Sequence, residues 1–406
     1  MVALDDLRAT PNALAPHYSR FRVAERLLLT GHSHQAWPDV AEEGLLACFA
    51  DAAGAVDHKW DRAEAMAERV RAGYRRLLDD PAGAVALGPN THDLVVKLLS
   101  ALDLRRRPRV VTTDAEFHSL RRQLDRLAEE GLEVVRLPAE PVETLAERLA
   151  GAVDDRTALA AVSAVLFTTA RIVPHLDAVA AACERRGAQL LVDAYHALGV
   201  LPFPVQRLGL DGAWVTGGGY KYLELGEGNA FLRVPPSGAG LRPAVTGWYA
   251  EFDDLVDPAR PDAVTYGPPE TRFAGATYDP SSHYRAAPVL DFFADRGLEP
   301  AFLRQVSLHQ VGLLRHAVDA LALPPGVLAH AHGGGPDSVA GFLALRSPHA
   351  RRLQSLLEER GVSTDSRADV LRLGPAPYLA DAQLELAVAA LGEAAADLGY
   401  PTGSAS

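Results

Sequence analysis

Along residues 40–78 apolar side chains recur at helical spacing: Leu45, Leu46 and Phe49, then Met66, Val70, Tyr74, Leu77 and Leu78, with a break between Gly54 and Trp60. After that the period shortens. Runs rich in β-branched and aliphatic residues at 85–87, 109–112, 133–136, 159–166, 189–192, 213–215 and 229–233 predict strands, most of them separated by one amphipathic segment of helix length, as at 119–130, 142–149 and 176–186. Such alternation predicts a mainly parallel, seven-stranded sheet with helices on both faces. Helical patterns at 282–294 and 299–321 lead out of the sheet. Beyond Gly333, Gly334 and Gly335 the pattern predicts a strand at 338–345 and a helix capped by Ser347 with Pro348 in its first turn. Two short strands at 361–364 and 370–373 and a helix at 381–398 follow. The expectation is an α/β chain in three parts: an N-terminal arm over 1–38 that is not a core element, a large α/β domain over 39–295, and a small C-terminal α+β domain over 296–406 with a frayed end at 401–406.

With 406 residues, 48% of them hydrophobic, the chain can bury a large core. Fifty-two acidic residues against 40 basic ones leave a net charge of -12, which argues against a broad nucleic-acid surface. No apolar run of about 18 residues occurs, and Met1 to Arg8 lack the basic-then-apolar order of a secretory leader, so the expected setting is the cytoplasm, with no membrane partner. Cys48 and Cys183 both fall in helical patterns and suggest neither a disulfide framework nor a zinc cluster. His32 with His34, and His330 with His332, form spaced pairs without a third ligand nearby, so no metal is expected. A hydrolase oxyanion loop beside the triple glycine would need a Gly-x-Ser-x-Gly elbow, which the chain lacks.

Chemistry concentrates where strands end, the edge at which open α/β sheets bind ligands. The strand pattern at 189–192 runs into Asp193, with His196 three positions on. Alone, such an aspartate reads as the cap of a turn. After the next strand, however, stand Thr216, three glycines, Tyr220 and Lys221. A lysine in a glycine- and aromatic-lined turn is partly desolvated, which lowers its pKa and suits it to form an imine with an aldehyde cofactor. The acid on the preceding strand is then placed to pair with a ring nitrogen. A phosphate-loop reading of the glycines fails, because no Ser or Thr follows the lysine.

Asp193-x-x-His196 together with Thr216-x-x-x-Tyr220-Lys221-Tyr222-Leu223 resembles the class V aminotransferase group of the fold type I PLP-dependent transferases. Within that group it is most similar to the kynureninases, which carry Asp-x-x-His and Ser-Tyr-Lys-Tyr-Leu at these places. The resemblance implies pyridoxal 5′-phosphate as cofactor, held as a Schiff base by Lys221, with Asp193 and His196 arranged around its ring. Asn90 and Thr91 fall between a strand and a helix, where backbone N–H groups can hold a phosphate, and the resemblance makes Thr91 the hydroxyl contact. Phe117 matches the ring that family members stack on the cofactor, against the alternative of a plain core phenylalanine. Arg372, in a segment similar to the kynureninase Arg-x-x-Pro-x-Pro-x-Tyr but one residue shorter before Tyr378, is implied to grip the α-carboxylate of an amino-acid substrate, against the alternative of a surface arginine. Trp248 and Thr277 lie in segments that reach the cofactor from a neighbouring subunit in this family, which implies a homodimer with shared active sites. The match spans roughly residues 85–380.

Departures fall on the substrate side. His32, Ser33 and His34 replace an Asn-Ser-Leu turn, Ala250-Glu251 replaces a Gly-His pair after the tryptophan, and Thr168 stands where the family has an arginine. His32 and Ser33 are therefore the candidate substrate contacts. The activity implied by the resemblance is hydrolytic Cβ–Cγ cleavage of a kynurenine-type amino acid to an aryl acid and alanine. Lys221 moves the α-proton and Tyr220 assists at the γ-carbonyl or the phosphate. The alternatives are an aminotransferase or a β-elimination lyase, and then a non-catalytic PLP-binding protein. A cysteine desulfurase would need a loop cysteine in the C-terminal third, where there is none.

Overall fold

A computed structural model describes residues 2–254 and 264–401. The strands are β1 (Leu27–Leu28), β2 (Ala84–Gly88), β3 (Arg109–Thr113), β4 (Glu133–Leu137), β5 (Thr157–Ser163), β6 (Gln189–Asp193), β7 (Trp214–Gly218), β8 (Ala230–Val234), β9 (Ala329–His330), β10 (Leu343–Arg346), β11 (Val362–Ser363), β12 (Asp365–Arg367) and β13 (Val370–Leu373). Seven of them form the main sheet in the order β2-β8-β7-β6-β5-β3-β4. β8 runs antiparallel to both neighbours and every other pair is parallel.

The unbroken apolar character of these strands follows from burial on both faces. Along β5, Leu159 and Ala161 join one core with Leu94 and Leu98 of the helix Thr91–Ala101 and Leu120 and Leu124 of the helix His118–Glu129. Ala160 and Val162 join the other, with Leu149, Val179 and Cys183 from the helices Leu145–Ala152 and Leu176–Arg186. Each large aliphatic side chain removed from water in this way contributes roughly 1.5–3 kcal/mol.

The small domain carries a four-stranded sheet in the order β12-β13-β10-β9, covered by the helices Ala350–Glu359 and Asp381–Asp397. Three expectations are corrected here. The strand expected at 338–345 is reduced to β10, because residues Pro336–Ser338 form a 3-10 turn and Val339 bridges Arg171. Ser347 does not cap the helix directly: its Oγ accepts from the N–H of His349, and the helix begins at Ala350. The segment expected as one strand at 361–364 is only β11, which pairs with β1 outside the four-stranded sheet, while β12, which the apolar pattern does not announce, supplies an edge.

The N-terminal segment also differs from expectation, since it is not outside the core. Leu7, Leu14, Tyr18, Val23 and Leu29 are buried, β1 pairs with β11, and Thr30 bridges Gly374. Its Tyr18 hydroxyl donates to Glu224, a buried carboxyl three residues past Lys221 that burial pushes up to about 8. The arm is thus tied both to the small domain and to the lysine-bearing turn. Residues 402–406 of the expected frayed end lie outside the described residues. Among the described residues no helix is long and apolar enough to cross a membrane.

Candidate active site

Strand register assembles the site at the C-terminal edge of the main sheet. Asp193 ends β6, beside Ser163 of β5 and Thr216 of β7. Its Oδ1 accepts the N–H of Tyr195 at 2.8 Å, an Asx-type turn that brings His196 back over the sheet edge. Lys221 follows β7 in a turn closed by the Leu225 N–H on the Gly219 carbonyl at 2.9 Å. The glycine at 218 is required sterically, since a Cβ there would lie 2.4 Å from the Tyr195 hydroxyl.

Lys221 is 6% exposed, with Nζ 2.7 Å from His196 Nε2 and 4.8 and 5.4 Å from the ring centroids of Tyr195 and Phe117. Phe117 holds its place as the residue before the helix His118–Glu129. A cavity of about 230 Å³ opens here, lined among others by Asn90, Thr91, Phe117, Asp193, His196 and Lys221. Asn90 caps the helix Thr91–Ala101, its side chain accepting the Asp93 N–H at 2.9 Å, so that the helix N-terminus and the Thr91 hydroxyl belong to the cavity wall. Tyr220 stacks on His34 at 5.1 Å and packs against Tyr195 at 5.0 Å.

Burial governs the protonation of these groups. It pulls the Lys221 ammonium down to about 7 against the opposing charge of Asp193. It raises the Asp193 carboxyl, which the Tyr195 N–H and Lys221 partly offset. The His196 imidazole lies well below its usual value, first through burial and then through Lys221, and its Nδ1 has no partner. The site thus holds a neutral imidazole and an amine able to shed its proton near neutral pH.

A second group lies on the small domain. Arg372 is in β13 and 3% exposed, so it is not a surface arginine. Its Nη1 donates to the Phe167 carbonyl at 2.7 Å and its Nη2 to Asp365. His32 is fully buried, its ring 4.7 Å from that of Phe342, which also packs on His196 at 6.0 Å and lies 5.6 Å from the Arg372 guanidinium. Gly374 permits this, because a Cβ there would meet His32 Nδ1 at 2.2 Å. Ser33 contacts His34 Nδ1 at 3.1 Å, and none of the three expected substrate contacts, His32, Ser33 and Arg372, is among the residues that line the Lys221 cavity.

Trp248 and Thr277 are not at the Lys221 cavity of their own chain. Trp248 Nε1 donates to Thr277 Oγ1 at 3.2 Å, and both line a separate, larger cavity of about 780 Å³. The two cavities share Pro89, Glu227 and Gly228. Neither histidine pair converges as a ligand set: His330 contacts Asp319, His332 Nδ1 accepts the Gly334 N–H, and no cluster of three or more His, Cys, Asp or Glu is poised for a metal among the described residues.

Three site residues escaped the sequence reading. Glu116 is buried, accepts from Thr113 Oγ1 at 2.7 Å and Ser163 Oγ at 2.6 Å, and is pushed up to about 7 mainly by burial. The Thr-x-x-Glu spacing at the end of β3 was its available signal. Tyr195 lies between Asp193 and His196 in the chain, and Asp365 is opposed to Arg372 only through β12–β13 register.

The aminotransferase class-V family profile matches residues 65–221. An uncharacterised aminotransferase of Bacillus subtilis is 28% identical over 79% of this chain and 81% of its own. A kynureninase of Deinococcus radiodurans is 28% identical over 80% of this chain and 78% of its own. A solved C-DES mutant with glycine covalently linked to its PLP cofactor superposes with a TM-score of 0.82, over 93% of this chain and 98% of that one, at 18% identity, a likeness of fold.

Proposed function

We propose that the chain, similar to class-V aminotransferases and sharing the fold of a PLP-bound enzyme, is a class-V member of the fold type I PLP-dependent enzymes that hydrolyses the Cβ–Cγ bond of a kynurenine-type amino acid, releasing an aryl acid and alanine. The observation that carries the reading is the Lys221 amine, buried between His196 and the Phe117 ring at the edge of a cavity bounded by Asp193. These residues fit pyridoxal phosphate. The unpartnered Nδ1 of His196 and the single hydrogen bond to Asp193 leave polar capacity for a heteroaromatic ring, and the helix N-terminus at Thr91 suits a phosphate.

Lys221 would hold the cofactor covalently, Asp193 would pair with its ring nitrogen, Phe117 would cover one face, His196 would flank it, and Asn90 and Thr91 would line the phosphate end. Bound there, the cofactor supplies an electron sink for the α-carbon of an amino acid. Lys221 Nζ, depressed by burial, accepts and returns the α-proton. Arg372 orients the substrate through its α-carboxylate. Tyr220 keeps its phenolic proton, because burial raises its pKa, and so acts as a hydrogen-bond donor at the substrate carbonyl or the phosphate.

Similarity to the kynureninase over four-fifths of the chain supports the hydrolytic reading. So does the position of both cysteines: Cys183 is packed in the core with its thiol pushed up to about 12, and Cys48 is on the helix Val40–Ala55, so neither lines the cavity. Mixing the enzyme with L-kynurenine or its 3-hydroxy form yields an anthranilate-type fluorescent product. If none forms, and an amino acid bleaches the chromophore that an added keto acid then restores, transamination replaces hydrolysis. Equal identity to an aminotransferase, and Thr168 in place of the family's arginine, favour that second reading.

The reading includes a homodimer in which Trp248 and Thr277 serve the partner's site. The exposure of Trp248, Phe252, Leu46 and Phe49 supports such a surface. Inactive Lys221→Ala and Trp248→Ala chains, unfolded and refolded together, recover about a quarter of wild-type activity, since half the dimers are mixed and each holds one intact site. A mixture as inactive as its parents removes the shared site.

A further inference from the structure

Asp365 of β12 stands directly opposite Arg372 of β13, and Arg367 is two residues along the same strand, on the same side. Asp365 Oδ2 accepts from Arg372 Nη2, while Arg367 Nη1 lies 3.3 Å from Asp365 Oδ1. Two guanidinium groups share one carboxylate, so the triad carries one net positive charge. His32 adds none, because burial keeps its imidazole neutral. The corner has unmet hydrogen-bonding capacity: both His32 ring nitrogens and Arg372 Nε lack partners, although His32 is 1% and Arg372 3% exposed. Its charges also act on Lys221, where, after burial and the opposing charge of Asp193, Arg372 and Arg367 lower the ammonium and Asp365 raises it.

We propose that this triad restricts the substrate to amino acids with a single carboxylate and no second anionic group, with Asp365 as the residue that excludes dicarboxylic amino acids. The proposal rests on the reading of Arg372 as the carboxylate grip. One α-carboxylate brings the corner to neutrality, and a second carboxylate finds no cation to meet it. Among the described residues, the charged side chains that line the Lys221 cavity are Asp193, Lys221 and Glu227, two of them acidic, and the triad stands behind that lining, with Arg372 Nη1 donating to the carbonyl of the wall residue Phe167. A partly desolvated, unpaired carboxylate is strongly disfavoured. Without Asp365 the corner would carry two positive charges and accept a second anion.

The test is a titration of the holoenzyme with the near-isosteric pair L-glutamine and L-glutamate, following the cofactor's visible absorbance and the heat of binding. In the wild type glutamine binds at least about tenfold more tightly than glutamate, about 1.4 kcal/mol. Asp365→Asn closes most of that gap. Arg367→Gln, an exposed change that leaves the β12–β13 pair intact, weakens glutamine binding by about tenfold. A wild type without the gap, including one that binds neither amino acid, overturns the proposal, as does Asp365→Asn with the gap unchanged and its chromophore intact. Arg372→Gln separates the two readings: if it leaves glutamine affinity unaltered, the carboxylate role of Arg372 fails by itself.

Discussion

Replacing Lys221 by alanine is expected to remove the yellow chromophore from the purified protein and to lower turnover by at least about 10⁴-fold, because in the proposed reading one side chain both tethers the cofactor and carries the α-proton. Its surroundings explain why no neighbour substitutes. The nearest nitrogen is His196 Nε2, 2.7 Å from Nζ, and an imidazole held neutral by burial cannot form a stable imine. Burial sets a pH dependence as well. The free amine, brought down to about 7, is the reactive form, so cofactor uptake by stripped protein rises as pH increases through about 7 and levels off above it. Absorbance spectra across a pH series read both effects. A Lys221→Ala protein that keeps chromophore and turnover, or uptake that is flat from pH 6 to 9, rules out the assigned role.

Asp193→Asn has the second largest expected effect, a loss of turnover on the order of 10²-fold or more with weaker retention of the cofactor. Asparagine preserves the shape of the turn, because its carbonyl still accepts the Tyr195 N–H. What it lacks is the charge that keeps a ring nitrogen protonated. The wild-type carboxyl is raised by burial in the free protein, and a cationic ring beside it would draw it back to the anion. The measurement is kcat together with equilibrium dialysis of the cofactor. Turnover within about threefold of wild type would place the ring nitrogen elsewhere.

Much of this site is legible in the chain because its parts are local. Asp193 and His196 are three residues apart across one tight turn, and Lys221 follows the adjacent strand, so apolar runs that end on polar residues are enough to bring them to one edge. The Asn90–Thr91 helix start is likewise written in a capping residue next to a strand. The small domain is harder to read. β11 and β12 are two and three residues long, too short for a period to register, and their partners lie in different sheets. The N-terminal segment lacks a repeating pattern because its buried residues, Leu7, Leu14, Tyr18 and Val23, are spread over turns and short helices.

Local spacing and strand-end chemistry by themselves determined the main sheet and the gathering of Asp193, His196 and Lys221 at the C-terminal edge of its strands. Only the folded chain decided that Asp365 faces Arg372, that His32 is sealed against Phe342, that Glu116 is buried behind Ser163, and that Trp248 and Thr277 open on a neighbouring cavity. The physical reason is distance along the chain. Residues a few positions apart are brought together by backbone geometry that the local residues dictate. Contacts such as Tyr18 with Glu224, or His32 with Phe342, join segments hundreds of residues apart, and they depend on register and packing across two domains that no local pattern encodes.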